Sequence, residues 1–221
     1  MTSALVIGAS GGIGAAVATE LETRGASVTR VSRSVDGLDV TDGASVASVM
    51  STLSGPYDLV FVAVGALTPA GQPPEKSIKD MSVDAMAAAF AVNAAGPMMV
   101  LKHALPLIAK DRRAVIAVLS ARVGSIGDNA IGGWHSYRAS KAGLNQLVHG
   151  AAIEMKRTHK QAIAVCLHPG TVETPFTAKY AGRHKTTPAP EAAAHLLNVI
   201  DGLTGEHSGG FYDYAGKEIP W

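Results

Sequence analysis

A doubly wound α/β fold, a mostly parallel seven-stranded sheet with helices on both faces, follows from three features of this 221-residue chain. Strand-like and helix-like patterns alternate from end to end. The strand patterns at residues 58–64, 114–119 and 162–167 are almost wholly apolar, as strands buried on both faces of a parallel sheet are. The chain also opens on strand, glycine turn and helix: Val6-Ile7-Gly8-Ala9-Ser10-Gly11-Gly12-Ile13-Gly14.

Each element has its own signal. Residues 4–7 form a short apolar strand, and the apolar face of Ala15, Ala16, Val17, Ala18 and Leu21 marks the helix after the turn. Residues 26–31 read as strand two and residues 37–40 as a short strand three. Asp42 caps a helix that Gly55-Pro56 ends, before strand four at residues 58–64. A proline-rich polar loop covers residues 68–77. Ser82 then caps a long helix to about residue 109, with Phe90, Val92, Met98, Val100, Leu101 and Leu105 along it. Strand five (114–119), a glycine-rich loop (124–133), a helix (134–157) and strand six (162–167) follow. Residues 169–190 are irregular, residues 191–203 form a helix, and residues 210–214 form the seventh strand. With no boundary, repeat or low-complexity tract, residues 1–221 read as one domain.

Composition narrows the function classes. At 47% hydrophobic and 17% charged, the chain has the makings of a globular core. A net charge of +1 without basic or acidic runs argues against nucleic acid as a partner. The single cysteine, Cys166, excludes a disulfide framework and suits a reducing compartment. No stretch reads as a membrane span and no signal segment is visible, so the cytoplasm, without membrane association, is expected. The eight histidines and Cys166 show no metal-ligand spacing, so no metal is expected.

The glycine turn is suited to an anion. Glycines permit tight turns and close approach to the main chain, and the free N–H groups and positive end of the following helix hold a phosphate. In a doubly wound sheet the ligand lies beyond the carboxyl ends of the strands. That rule gathers residues 8–14, Ser32 and Arg33, Asp39 and Val40, Val64 and Gly65, Ser120, and residues 168–174 along one crevice. Where a ribose with a free 2′-hydroxyl meets an acid at the end of strand two, this chain has Ser32 followed by Arg33. A guanidinium suits a 2′-phosphate, which favours NADP (NADPH) over NAD; an ordinary solvated arginine is the alternative. Asp39 comes too late for that acid. It sits better beside the adenine, or serves as a turn residue.

Tyr137 and Lys141, four residues apart, share one helix face. An ammonium near a phenol favours the tyrosinate and makes the tyrosine a usable acid/base near neutrality. The plainer reading is a tyrosine packed on a lysine stem.

Together, residues 8–14, Asp39-Val40, Asn93, Ser120, Tyr137 with Lys141, and Pro169-Gly170 with Thr174 resemble the short-chain dehydrogenase/reductase superfamily over essentially the whole chain. Residues 119–126 and 132–137 are most similar to its C-factor-like and sniffer-type carbonyl reductase branch. The resemblance implies a Rossmann domain that binds NADP and a small carbonyl or alcohol substrate, as a homodimer or homotetramer. It implies catalytic roles for four residues: Tyr137 as general acid/base, Ser120 bonding the substrate oxygen, Lys141 holding the nicotinamide ribose and lowering the Tyr137 pKa, and Asn93 holding a relay water. For the cofactor it implies Gly8, Ser10, Gly11, Gly12, Ile13, Gly14, Arg33, Asp39, Val40, Gly65, Tyr137, Lys141, Pro169, Gly170, Val172 and Thr174.

Two departures stand out. The usual Asn-Asn-Ala-Gly after strand four is Val62-Ala63-Val64-Gly65, and the usual serine register, counted back from Gly124, falls on Ala121. Ser125 is a weaker substitute for that serine. A substrate loop is expected at about 171–190, with Phe176, Tyr180 and His184, and also Trp134 and His135, as candidate contacts. The apolar residues Met86, Phe90, Met98, Met99, Leu144, Leu147 and Val148 either pair subunits or cover the sheet. Two other readings stay open: a cofactor-binding regulatory or signalling protein on this fold, and a different Rossmann enzyme such as a methyltransferase or epimerase.

Overall fold

The computed structural model describes residues 2–69, 71, 73–175 and 186–221. Six parallel strands form one sheet in the order β2-β1-β3-β4-β5-β8. They are β1 (Ser3–Ile7), β2 (Ser27–Val31), β3 (Leu59–Val62), β4 (Ala114–Leu119), β5 (Ala162–His168) and β8 (Phe211–Asp213). The order reverses between β1 and β3, which opens the crevice that doubly wound sheets use.

Alternation along each strand divides the core between two faces. Val6, Phe61, Ala117 and Val165 meet α1 (Gly12–Thr23) and α7 (Ala189–Gly202) through Val17, Leu21, Leu196 and Leu197. Ile7, Val62, Val118 and Cys166 point the other way, toward α3 (Gly43–Ser51), α5 (Gly96–Ala104) and α6 (His135–Met155). Cys166 is fully buried there, and burial pushes its thiol up to about 12, so it packs as an apolar group.

The expected third strand does not form. Gly37 (φ +72°) ends the short helix α2 (Arg33–Asp36), and the Asp39 carboxylate accepts from the Thr41 amide (2.9 Å) and hydroxyl (2.6 Å). That local turn bends residues 37–40 away from the sheet, leaving six strands. A separate two-stranded ribbon, β6 (Val172–Glu173) with β7 (Thr187–Pro188), ties together the two ends of the 171–190 segment.

The long helix from Ser82 is also interrupted. Between α4 (Val83–Phe90) and α5, residues Ala91–Ala95 form a π-turn. Contrary to the expectation of no membrane-length segment, the helical run Val83–Leu107 has the length and apolar composition to cross a bilayer (25 residues, mean hydropathy 1.4). Here Val100, Leu101 and Ala104 bury its inner face on the sheet. Leu144 and Val148 cover the sheet as well, whereas Phe90 and Leu147 remain partly exposed.

Candidate active site

The carboxyl ends of β1, β3, β4 and β5 surround a cleft of about 340 Å³. Its floor is the glycine turn, where Gly8 takes φ +84° and a Cβ would lie 2.4 Å from the Ala63 carbonyl oxygen. A Cβ on Gly14 would lie 2.2 Å from the Gly8 carbonyl oxygen, so strand, turn and helix pack with backbone on backbone. No side chain caps α1 at Gly11, and Ser10, Gly11, Gly12 and Ile13 line the cleft. An uncapped helix start presents amide donors and a positive field to whatever lies there. Pro169, Gly170, Val172 and Thr174 form the facing wall; the Thr174 methyl lies 2.5 Å from where a Gly12 Cβ would be.

Helix α6 brings Tyr137 and Lys141 to the same cleft. Both are buried, at 7% and 3% exposure. Lys141 Nζ donates to the Leu119 carbonyl at 3.0 Å. Gly65 leaves room for these groups: a Cβ there would stand 3.2 Å from both Lys141 Nζ and Asn93 Oδ1, tighter than ordinary contact. The π-turn aims Asn93 inward. Its Oδ1 accepts from the Ala66 amide (2.8 Å), while its Nδ2 donates to the Ala66 carbonyl (2.9 Å) and to Ser140 Oγ (3.3 Å). Ser140 Oγ in turn donates to the Tyr137 carbonyl at 2.8 Å. The segment after β3, which lacks the usual asparagines, is thus tied to α6 through Asn93 and Ser140.

Electrostatics correct one expectation. Burial pushes the Tyr137 phenol up, rather than Lys141 drawing it down. Burial also lowers Lys141 from the ordinary 10.5 to about 8, partly opposed by Cys166.

Ser120 lines the same cleft. It is buried at the end of β4 and donates to Asn145 Oδ1 at 2.6 Å, on α6 one turn beyond Lys141. Ala121, in the usual serine register, lines the cleft. Ser125 Oγ donates to the Pro220 carbonyl at 2.5 Å, which ties it to the C-terminal segment. Asn145 was not anticipated from the sequence, whereas His168 belongs to the 168–174 stretch expected along the crevice. Asn145 sits one turn from Lys141 on the same face, a spacing that points to it in hindsight. His168 also lines the cleft; burial first, and then the Arg122 charge, depress its imidazole to about 4, so it is neutral.

The remaining candidates lie at the edges. Arg33 is exposed at the end of β2, where the Ser32 amide donates to Asp36 at 2.7 Å. Neither Arg33 nor Asp39 lines the cleft, and Val40 packs against Gly96. Trp134 meets the Tyr137 ring edge-on at 6.2 Å. Phe176, Tyr180 and His184 fall outside the described residues. Among the described residues, no group of histidine, cysteine and carboxylates is placed to hold a metal.

A family model described as enoyl-(acyl carrier protein) reductase matches residues 29–202. The 1-hydroxy-2-glutathionyl-2-methyl-3-butene dehydrogenase of Rhodococcus sp. strain AD45 is 30% identical over 236 residues, covering 100% of both chains. C-signal of Myxococcus xanthus is 38% identical over 145 residues, 66% of this chain and 84% of that one. A Burkholderia multivorans structure described as a short-chain dehydrogenase/reductase with bound NADP has TM-score 0.82 at 25% identity, covering 100% of this chain and 99% of that one. The NADPH-bound carbonyl reductase from chicken fatty liver has TM-score 0.86 at 23% identity, with the same coverage, and bears on the fold alone.

Proposed function

The chain belongs to the short-chain dehydrogenase/reductase superfamily, and from that premise we propose that it is an NADP-dependent oxidoreductase acting on a small carbonyl or alcohol substrate, with Tyr137 as general acid/base. One observation carries the reading: Tyr137 and Lys141, both buried, open into the cleft that the glycine turn floors.

The residues fit a dinucleotide. Gly8 and Gly14 let strand, turn and helix pack backbone on backbone, a Cβ on Gly12 would strike Thr174 on the facing wall, and the uncapped start of α1 offers amide donors to a pyrophosphate. When bound there, the nicotinamide supplies the two-electron exchange with the substrate carbon. Tyr137 Oη gives its proton to the substrate oxygen in reduction and takes it back in oxidation. Lys141 Nζ would hold the ribose hydroxyls, Asn93 keeps the Ala66 segment and Ser140 in place, and Gly65 leaves the backbone open to close approach. The Val172 backbone and the Thr174 hydroxyl serve the carboxamide and phosphates, beside Pro169 and Gly170. In this account Ser120, whose hydroxyl is bonded to Asn145, is not assigned to the substrate oxygen.

For the 2′-phosphate, Arg33 is the proposed partner. The neighbour with bound NADP supports the choice of cofactor, and the absence of a carboxylate at Ser32 supports Arg33; the nearby Asp36 is held by the Ser32 amide. Arg33→Glu is expected to weaken NADPH binding about tenfold or more while leaving NADH within about twofold, read by nucleotide fluorescence titration. An equal loss for both nucleotides contradicts the assignment.

A second reading, a cofactor-binding signalling protein with little catalysis, draws on the alanine at 121 and the bond of the Ser120 hydroxyl to Asn145. It predicts NADPH binding without turnover on any carbonyl substrate.

A further inference from the structure

Helix α6 carries the proposed acid/base in its first turn, yet its own sequence does not cap that turn. Trp134, at the N-cap position, has φ +51° and no side-chain cap. It is the single non-glycine residue with positive φ among those described, and it follows Gly132 (φ +69°) and Gly133 (φ +66°). The two glycines take positive φ freely, but at Trp134 it carries a cost that surrounding contacts must hold.

The contacts come from the proline-rich loop before α4. The Trp134 amide donates to the Glu75 carbonyl at 2.6 Å. The Ser136 amide donates to Glu75 Oε2 at 3.3 Å, and the Ser136 hydroxyl donates to Glu75 Oε1. Glu75 is 7% exposed, and it lines, with Ser136 and Tyr137, a second cavity of about 330 Å³. One residue thus accepts from the N-cap amide and from the second helical residue, the work an N-cap side chain ordinarily does. Burial opposes the charge on Glu75, but the Ser136 hydrogen bonds outweigh it and keep the carboxyl below its ordinary value. An anion at this end of a helix is favoured by the helix dipole.

We propose that Glu75 is a positioning residue for the reaction: it clamps the first turn of α6 from a distant loop and so fixes where Tyr137 stands over the substrate. The inference rests on the reductase reading for its kinetic consequence. Lys141, a full turn further along, and the glycine turn do not depend on the clamp, so cofactor affinity is separable from it.

The test compares the full chain with Glu75→Ala and Glu75→Gln, the latter keeping an acceptor oxygen without the charge. Amide hydrogen exchange is followed at residues 134–138 and 144–155, with and without NADPH. In Glu75→Ala, exchange at 134–138 is expected to rise about tenfold or more while 144–155 stays protected. Turnover of the best carbonyl substrate is expected to fall about 10- to 100-fold, with the NADPH dissociation constant within about twofold. The isotope effect with deuterated NADPH should increase as the chemical step becomes limiting. Glu75→Gln should fall between the parent and Glu75→Ala in each readout, and it decides the matter alone if Glu75→Ala does not fold. Unchanged exchange at 134–138 overturns the clamp. Raised exchange with unchanged turnover overturns the positioning role and leaves the reductase reading intact. A parent that turns over no carbonyl substrate defeats the reductase reading, and the exchange result then decides the clamp by itself.

Discussion

Tyr137→Phe is expected to lower kcat on any carbonyl substrate by about 10²- to 10⁴-fold, the range a positioned proton donor contributes. The substitution keeps the buried ring and its edge contact with Trp134, so the helix and the cleft should persist. NADPH affinity should change by no more than about twofold, because the phenol oxygen is the one group removed. The direction of the reaction matters. Burial holds the Tyr137 phenol above its ordinary value, so it is protonated throughout the neutral range. A protonated phenol is ready to donate, which favours reduction near neutrality, while oxidation of an alcohol needs the phenolate and should accelerate as pH rises. Stopped-flow oxidation of NADPH by parent and variant checks this. Undiminished turnover in Tyr137→Phe removes the acid/base role.

Lys141→Met is expected to abolish most of the activity while raising the stability of the fold. The lysine is almost wholly buried, donates to the Leu119 carbonyl, and is lowered by burial from 10.5 to about 8. Such a shift corresponds to about 3 kcal/mol of cost in keeping the ammonium in the folded state. A base whose pKa is depressed on folding holds fewer protons folded than unfolded between those two values. Stability therefore rises with pH from about 8 to 10.5, and the cost is fully present below 8. The advantage of methionine should be greatest near neutrality, on the order of 1–3 kcal/mol, and shrink as pH climbs past 8. Parallel denaturant titrations at neutral and alkaline pH read it. Reductive turnover of the parent should also decline above about pH 8, as the ammonium proposed to hold the ribose loses its proton. A methionine variant that is less stable at neutral pH contradicts this account of the site. Residues that destabilise the fold but serve a reaction are the usual mark of a functional centre.

Much of this was legible in the sequence because local rules carry it. The glycine turn is a matter of backbone sterics at Gly8 and Gly14, and those glycines stand where backbone meets backbone. The four-residue spacing of Tyr137 and Lys141 places both on one helix face, and both line one cleft. Apolar runs gave the central strands, since strands buried on two faces leave no choice of composition. What the sequence concealed depends on competition or distance. Residues 37–40 are apolar enough for a strand, but Gly37 and the Asp39 turn bend them out of the sheet. Residues 83–107 read as one helix, and the π-turn that points Asn93 at Ala66 leaves no mark in the period of the pattern. Ser120 lies one residue from the usual register, just past the end of β4, and no local pattern in the sequence announces that its hydroxyl bonds Asn145, 25 residues away on α6. Glu75 was invisible altogether. Its partner Ser136 lies 61 residues away, and a loop without periodicity gives no sign of what it touches.

The central claim is that one cleft joins a dinucleotide to a proton donor for carbonyl chemistry. Its most direct test is steady-state oxidation of NADPH by the purified full chain against a panel of aldehydes, ketones, diketones and quinones, with NADH alongside. The account predicts turnover that prefers NADPH and generates one alcohol for each nucleotide oxidised with the aldehydes and ketones. Failure to bind either nucleotide, or tight NADPH binding with no turnover across the panel, contradicts it; the second of these outcomes favours the signalling reading.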